Sequence, residues 1–179
     1  MNKVRRNLIC LAGALLTGCT CLPIPQQESD LRRKTGKLLA RDTLSPIKRF
    51  AAGFRLDSTE KGLKLDFLGP LNTTLARLEV TEDQATFLQP GKQAVVDENA
   101  EALMERMLGF SVPLSAVSDW TEGEPNRRYP FRRLDDNSFE QLGWTVRVLE
   151  REQSGAARKL AFTKGTLALV VVIDTKAGQ

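Results

Sequence analysis

The residues of this chain that could do chemistry are few and unevenly placed. All three cysteines, Cys10, Cys19 and Cys21, lie within the first 21 positions, and the sequence has no histidine. Histidine is the most common general base and metal ligand in proteins, and a nucleophilic thiol has to lie inside the folded domain to be positioned. The sequence therefore predicts a chemically modified N-terminus and a domain with no catalytic, cofactor-binding or metal-binding residue.

Cys19 lies at the end of a predicted secretory signal. Three basic residues open the chain and are followed by "LICLAGALL" (residues 8–16), which is shorter than the ~20 apolar residues that span a bilayer. The next residues, "LTGC", resemble the lipobox, in which a cysteine thiol is alkylated with diacylglycerol before cleavage. We predict a lipoprotein signal peptide at residues 1–18 and a lipidated Cys19. An ordinary signal peptide or an uncleaved apolar anchor is the alternative.

The residues after Cys19 predict a membrane tether. Thr20 replaces the aspartate that typically retains lipoproteins in the inner membrane, so we expect an anchor in the bacterial outer membrane, facing the periplasm. Cys21 is an odd thiol beside this anchor, and a second lipid, an intermolecular bridge or an incidental free thiol would each account for it. Residues 19–35 are read as the lipidated tether because they are polar and contain prolines. Residues 36–179 are read as one domain.

The charge balance gives little support for nucleic-acid binding. The full chain has 26 basic and 22 acidic residues. Removal of residues 1–18 takes away Lys3, Arg5 and Arg6 and no acid, which leaves a formal net charge of +1 on 161 residues. A nucleic-acid-binding protein would need a clustered basic face. We therefore predict no nucleic-acid partner, and a domain long enough for one sizeable core.

Most of the domain alternates with a period of two, which is typical of antiparallel strands with one buried face. In "RFAAGFRLD" one face carries Phe50, Ala52, Phe54 and Leu56, and in "GLKLDF" Leu63, Leu65 and Phe67 share a face. Weaker strands are predicted at "TLARLEV", "QATFLQ" and "KQAVV". Further strands follow at "YPFRRLDDNSFEQL", "GWTVRVLE" and "ARKLAFTKGTLALVVVID".

Two helices interrupt the strands. "DENAEALMERMLGF" carries apolar residues at helical spacing, with Asp97 as the predicted N-cap and Gly109 after its end. "VPLSAVSDWTEGEP" predicts a second, short helix that ends before Gly123 and Pro125. These helices are either plain core helices or a cover over a hollow in the sheet.

Other candidate sites are weak. Asp135 and Asp136 are adjacent carboxylates, but the "DDNS" stretch around them favours a turn over an acid/base pair. Two arginine pairs, at residues 127–128 and 132–133, would suit either lipid headgroups or a solvated hairpin face. We therefore predict that the chain is not an enzyme.

The turn "FLGPLNTT" (residues 67–74) contains an unexpected leucine. Gly69, Pro70 and Asn72 are turn formers, yet Leu71 lies among them, where a solvated turn is normally polar. A single exposed leucine is common on protein surfaces and by itself indicates nothing.

The order of these segments resembles the LolB family of outer-membrane lipoprotein receptors and insertion factors. The similarity rests on "DENAEALMERMLGFSVPLSAVSDWTEGEP", "FLGPLNTTLARLEV", "FEQLGWTVRV" and "LAFTKGTLALVVVID", together with the lipobox, and covers most of residues 36–174. The chain departs from the family at Leu56, where a tryptophan is frequent. It also departs at residues 69–72, which are Gly-Pro-Leu-Asn instead of Asn-Pro-Leu-Gly.

The resemblance implies an α+β fold that is mostly β: an incomplete antiparallel β-barrel with helices forming a lid over an apolar cavity. It implies that the domain accepts triacylated lipoproteins from the periplasmic carrier LolA and inserts them into outer-membrane lipid, acting as a monomer without cofactors. The alternative is a lipid-anchored ligand-binding or scaffold lipoprotein without insertase activity.

Two groups of functional residues follow from the resemblance. Leu71, with Pro70, corresponds to a family loop that protrudes toward lipid and would act in membrane insertion. The expected acyl cavity lies between the helices and the sheet, and its candidate residues are Leu103, Met107, Leu114 and Trp120 on the helices and Phe54, Phe67, Trp144 and Val146 on the strands.

Overall fold

The computed structural model describes residues 31–44 and 49–174. Eleven strands and two helices make up this part of the chain: β1 Arg32–Asp42, β2 Arg49–Thr59, β3 Gly62–Leu68, β4 Thr74–Val80, β5 Ala85–Leu88, β6 Val95–Asp97, α1 Ala100–Leu108, α2 Leu114–Trp120, β7 Phe131–Asp135, β8 Ser138–Gln141, β9 Trp144–Arg151, β10 Ala157–Lys164 and β11 Leu167–Ile173.

All eleven strands form one antiparallel sheet in the order β6-β5-β4-β3-β2-β1-β11-β10-β9-β8-β7. Neighbours in the sheet are neighbours in the chain except for β1 and β11, which pair from Gly36 with Ile173 to Asp42 with Leu167. Within the described residues, β6 and β7 are the two outer strands and do not pair with each other. The sheet is therefore unclosed, and the predicted fold class, a mostly β, incomplete barrel with two helices, is confirmed.

Because consecutive strands are antiparallel, their turns alternate between two ends of the sheet. One end, here called the Leu71 end, carries the connections β1–β2, β3–β4, β5–β6, β8–β9 and β10–β11. The opposite end carries the connections β2–β3, β4–β5, β7–β8 and β9–β10. Strand β1 starts at the opposite end, where Arg32 pairs with Ser58. The chain therefore enters the domain at the end farthest from Leu71.

The sequence analysis missed β1 and placed the start of the domain too late. Residues 32–35, assigned to the tether, are part of the sheet and pair with residues 55–58. Polar residues are compatible with a strand here because they form ion pairs: Arg33 Nε lies 2.6 Å from Asp57 Oδ1. The folded domain thus includes Arg32, which lies four residues before the predicted boundary at Gly36. Residues 19–30 of the tether and the signal peptide lie outside the described residues.

Most of the buried apolar residues lie on one face of the sheet, beneath the two helices. From the strands come Phe54, Leu56, Leu65, Phe67, Leu78, Phe87, Phe139, Trp144, Val146, Leu160, Phe162 and Leu169, all nearly inaccessible to solvent. From the helices and the segment between them come Leu103, Met104, Phe110, Val112, Leu114, Ala116, Val117 and Trp120. The period-two pattern therefore identified the buried strand face, and the helical stripe identified the helix face that packs against it.

The N-cap of helix α1 lies two residues later than predicted. Its N-cap is Asn99, whose side chain accepts a hydrogen bond from the Ala102 amide. Asp97, the predicted cap, instead accepts a hydrogen bond from the Asn99 amide and pairs with Arg106. The predicted end is confirmed because Gly109 adopts a left-handed conformation with φ 79°.

An ion pair between a buried carboxylate and a partly exposed arginine fixes the register of the β3–β4 hairpin. Asp66 is 1% exposed, lies directly opposite Arg77, and accepts hydrogen bonds from Arg77 Nε at 2.5 Å and Nη2 at 3.3 Å. The hydrogen bond to this carboxylate raises the pKa of Arg77 above its ordinary value. The Arg77 side chain is 34% exposed, so the pair joins a buried carboxylate to a cation that solvent reaches. The pairing of Asp66 with Arg77 therefore holds β3 and β4 in register three residues before the turn that carries Leu71.

No helix in the described ranges has both the length and the apolar composition needed to cross a membrane.

Candidate functional site

The candidate site is the apolar space between the two helices and the sheet. A cavity of about 40 Å³ remains there. Its wall consists of Leu38, Phe54, Leu56, Leu65, Met104, Phe110, Val112, Val117, Thr121, Phe162, Leu169 and Val171. Ligand pockets usually have volumes of ~300–1,000 Å³, so this space is far too small for an acyl chain. The helices have to move away from the sheet before such a ligand can enter.

The structure places the predicted cavity residues around this space, with one of them on its wall. Phe54 lines the cavity. The other six buried candidates pack in the core around it: Phe67, Leu103, Leu114, Trp120, Trp144 and Val146. Met107 is only half-buried and packs against the core from helix α1. Contact of these residues with an acyl chain therefore stays a prediction.

Sequence reasoning left several wall residues out of the candidate set. Met104 and Val117 belong to the helical stripes and are more deeply buried than Met107. Phe110 and Val112 lie in the segment between the helices, where no periodicity exists to identify them. The signal that could have found Met104 was its spacing, four residues after Ala100 in the same apolar stripe as Leu103.

Trp120 ties helix α2 to the sheet through a buried amide. Its Nε1 donates to Gln141 Oε1 at 2.8 Å, and the same oxygen accepts from the Asn126 amide at 2.9 Å. The Gln141 amino group donates to the carbonyls of Asn126 and Tyr129. All polar atoms of the Gln141 side chain thus have partners, which is the condition for burying such a group at low cost.

Further polar contacts hold α2 and the residues after it against β1 and β2. Arg32 Nη1 lies 2.7 Å from Asp119 Oδ1, and Lys34 Nζ lies 2.9 Å from Glu122 Oε1. The hydroxyls of Ser58 and Ser118 are 2.8 Å apart. Helix α2 is therefore attached to strands in the middle of the sheet and, through Gln141, to β8.

Helix α1 rests on the outer part of the sheet. It packs against the short strands β5 and β6. Arg106 Nη2 lies 3.0 Å from Asp97 Oδ2 of β6, and Glu101 Oε1 accepts a hydrogen bond from the Leu114 amide at 3.2 Å. Strand β6 has three residues and β5 has four, so α1 lies on the least extensively paired part of the sheet.

The second candidate site is the turn between β3 and β4. Residues Pro70–Asn72 form a 3-10 turn in which Leu71 adopts left-handed angles (φ 59°, ψ 26°) and is 97% exposed. The Gly69 amide donates to the Thr73 carbonyl at 2.8 Å, and Thr73 Oγ1 donates to the Pro70 carbonyl at 3.0 Å. A side chain at Gly69 would clash with Leu75 Cδ2, 2.9 Å from an added Cβ. The turn is thus rigidly built and projects a leucine into solvent.

Left-handed angles are unfavourable for leucine. The conformation costs an L-residue roughly 1–2 kcal/mol because its Cβ approaches a carbonyl oxygen, and glycine or asparagine normally takes such positions. Folding alone gives no reason to place an exposed leucine there. An observed backbone outlier of this type is grounds for a functional hypothesis.

Sequence comparison identifies the family of this fold and site. The family model described as "Outer membrane lipoprotein LolB" matches residues 33–175. The chain belongs to the LolB family. It is 30% identical to the outer-membrane lipoprotein LolB of Azoarcus sp. over 97% of both chains. It is 29% identical to that of Cupriavidus taiwanensis over 87% of this chain and 83% of the relative.

A structural comparison adds a more distant similarity. A LolA superfamily protein from Nitrosomonas europaea superposes with a TM-score of 0.47 and 10% identity, over 84% of this chain and 86% of that one. The family assignment therefore rests on sequence. As a member of the LolB family, this chain is an outer-membrane lipoprotein held by a lipid anchor. The assignment of that anchor to Cys19 stays a prediction because Cys19 lies outside the described residues.

Proposed function

We propose that this chain accepts triacylated lipoproteins from the periplasmic carrier LolA and inserts them into the outer membrane. The observation that carries the proposal is an apolar interior covered by two helices on an unclosed sheet, in an outer-membrane lipoprotein of the LolB family. The acyl chains of the cargo would occupy the space between helices and sheet. The exposed Leu71 would contact the bilayer at the moment of release.

The magnitude of the hydrophobic effect explains why the cargo needs a cavity. Burial of each methylene gains ~0.8 kcal/mol, so exposure of three acyl chains to water would cost tens of kcal/mol. The chains must therefore remain covered throughout the transfer. Without a nucleotide-binding motif in the sequence, each transfer would run toward tighter binding, from carrier to receptor and from receptor to membrane.

The attachments of the two helices suggest how the space opens. Helix α2 is fixed by the Gln141 hydrogen bonds and by Arg32 and Lys34, whereas α1 rests on short outer strands. The α1 side would therefore separate from the sheet first, with α2 as the stationary element. Methionine suits such a moving surface because its unbranched side chain adapts to irregular ligands.

A two-step transfer assay tests the proposed function. Purified carrier loaded with an acylated lipoprotein is mixed with the lipid-anchored protein, and cargo is followed first onto this chain and then into vesicles. Native mass spectrometry of the intermediate identifies what is bound. A complex with acylated cargo is the expected result. A small amphiphile in its place, or no ligand at all, would instead indicate a ligand-binding or a scaffold lipoprotein and would reject the insertase role.

Substitution of Met107 tests the role of helix α1 in cargo binding. We expect Met107→Gln to weaken capture of cargo several-fold with little change in melting temperature. The side chain is half-buried, so glutamine can reach water in the closed state, yet it would face acyl chains once the helix moves. The measurements are the first transfer step and thermal unfolding. Leu108→Gln, another half-buried position on the same helix, is the control. Equal loss of binding in both variants, or a loss that merely follows stability, contradicts the role of Met107.

A further inference from the structure

The two ends of the sheet differ sharply in the chemistry of their turns. At the opposite end the turns contain five carboxylates, Glu60, Glu82, Asp83, Asp136 and Glu152, and one lysine, Lys61. At the Leu71 end the described turn residues contain no carboxylate and one lysine, Lys92. The turns at the Leu71 end are therefore less acidic than those at the opposite end. Among the strand-end residues, Arg32 and Arg151 lie at the opposite end and Asp42 lies at the Leu71 end.

Leu142 repeats the unusual features of Leu71 in a second turn at the same end. The β8–β9 hairpin has the two-residue turn Leu142-Gly143, in which both residues have positive φ (52° and 76°). Such turns strongly favour Asn-Gly or Asp-Gly, yet here the first position is a leucine that is 39% exposed. In the described parts of the chain, the non-glycine residues with positive φ are Leu71, Asn72 and Leu142. Two leucines thus occupy strained turn positions at one end of the sheet.

A third exposed leucine lies between these two along the sheet. Leu44 is 80% exposed and is the second residue after β1, where its amide donates to Asp42 Oδ1 at 3.0 Å. The β3–β4, β1–β2 and β8–β9 turns follow in this order along the same edge. With strands ~4.8 Å apart, the six spacings between the first and last turn give an arc of ~30 Å. The three leucines are therefore spread along a curved rim.

Cations accompany the three leucines at this end. Arg41 and Arg49 are exposed and lie directly opposite each other on β1 and β2. Like charges in directly opposite positions destabilise a sheet, and an anion between them would remove that repulsion. The exposed Lys164 ends β10 at the same edge, with its Nζ 6.0 Å from the ring centre of Trp144. The rim thus combines apolar tips with groups that bind phosphate.

We propose that Leu44, Leu71 and Leu142 form a membrane-contact rim, with Arg41, Arg49 and Lys164 binding the phosphates of lipid headgroups. The partner is the bilayer surface itself, because the protein is lipid-anchored and the described turn residues at the Leu71 end contain no carboxylate. Three contacts spread along an arc would also fix the orientation of the domain, which Leu71 alone would leave free to rotate. The inference rests on the proposed function and extends its membrane contact from one turn to three.

Site-specific probes can test the rim directly. The full lipid-anchored protein with Cys21→Ser receives one added cysteine, Leu44→Cys, Leu71→Cys, Leu142→Cys or Asp136→Cys, and each is labelled with an environment-sensitive fluorophore. The vesicles contain phosphatidylethanolamine, phosphatidylglycerol and lipids with spin-labelled acyl chains. We expect the acyl-chain quencher to reduce fluorescence at positions 44, 71 and 142 and to leave position 136 unchanged.

The outcomes separate this proposal from the proposed function. Quenching at position 71 without quenching at 44 and 142 overturns the rim and leaves the insertion loop intact. Fluorescence at position 71 that is unquenched, as at position 136, overturns both the rim and the insertion loop.

As a functional check, Leu142→Asn should slow delivery into vesicles several-fold without loss of stability, because asparagine favours the left-handed turn. Leu149→Asn alters a similarly exposed leucine on β9 (45%, against 39% for Leu142) and should deliver normally; equal delivery by both variants contradicts the rim.

Discussion

Leu71→Glu should block delivery of cargo into membranes while leaving its acceptance from the carrier unchanged. Burial of one leucine in a bilayer gains ~1.5–3 kcal/mol, and loss of that gain at the release step corresponds to roughly 10- to 100-fold in rate. The charge of glutamate adds to this penalty. Because Leu71 is 97% exposed and the turn is held by backbone and Thr73 hydrogen bonds, folding should not change. The measurement is the two-step transfer assay, with each step timed separately.

Two control variants make this result specific. Leu71→Met keeps an apolar side chain at the turn and should deliver cargo nearly as fast as the wild type. Leu149→Glu adds the same charge to an exposed leucine near the opposite end of β9 and should also deliver normally. A Leu71→Glu variant that delivers at the wild-type rate, or that already fails to accept cargo, would show that Leu71 has no role in insertion.

Cys19→Ala should release the protein from membranes and leave the folded domain intact. Stable anchoring requires at least two lipid chains, whereas a single chain holds a protein only marginally. The folded domain begins by Arg32, so a change at position 19 removes no contact of the described fold. We expect the variant in the soluble fraction, with an unchanged melting temperature and without incorporation of labelled fatty acid.

Cys21→Ser is the matched control for this prediction. It removes the neighbouring thiol and keeps Cys19, so attachment and labelling should persist. Fatty acid incorporated at the wild-type level in Cys19→Ala would transfer the assignment of the anchor to another residue.

The sequence predicted the strands whose residues follow a continuous apolar pattern. It did not predict β1, whose charged residues pair with residues far away in the chain. The β3 and β11 patterns identified both strands because their buried faces are continuous apolar stripes. Strand β1 was missed because Arg32, Arg33 and Lys34 resemble a solvated linker, and their partners Asp119, Asp57 and Glu122 are far away in the chain. No local pattern contains that information.

The candidate site was predicted in outline and not in detail. The helical stripes correctly identified the helix faces that pack on the sheet, and turn composition identified the loop at Leu71. The contacts of Trp120 could not be predicted, because Gln141 appears in the sequence as an ordinary polar residue near the end of a strand. In the structure its amide holds Trp120 against the rings of Phe139 and Phe162. The size of the closed cavity likewise depends on side-chain packing between distant segments.

The entry point of β1 sets a minimum length for the connection to the lipid anchor. The chain enters at the end opposite Leu71, and the 11 residues of β1 extend ~36 Å along the strand. The 13 residues from Cys19 to Leu31 can span at most ~45 Å. The domain can therefore stand with the Leu71 end on the membrane only if this segment runs back along its side.

Deletion of residues 23–30 would shorten the reach of this segment to at most ~18 Å. This variant should stay in the membrane fraction and fail to deliver cargo, and replacement of the eight residues by a glycine–serine segment of equal length should restore delivery. Delivery by the shortened protein at the wild-type rate would contradict the upright orientation. If Cys19 carries the anchor and the proposed orientation holds, the length of the segment before β1, more than its sequence, would determine which end of the domain reaches the lipid.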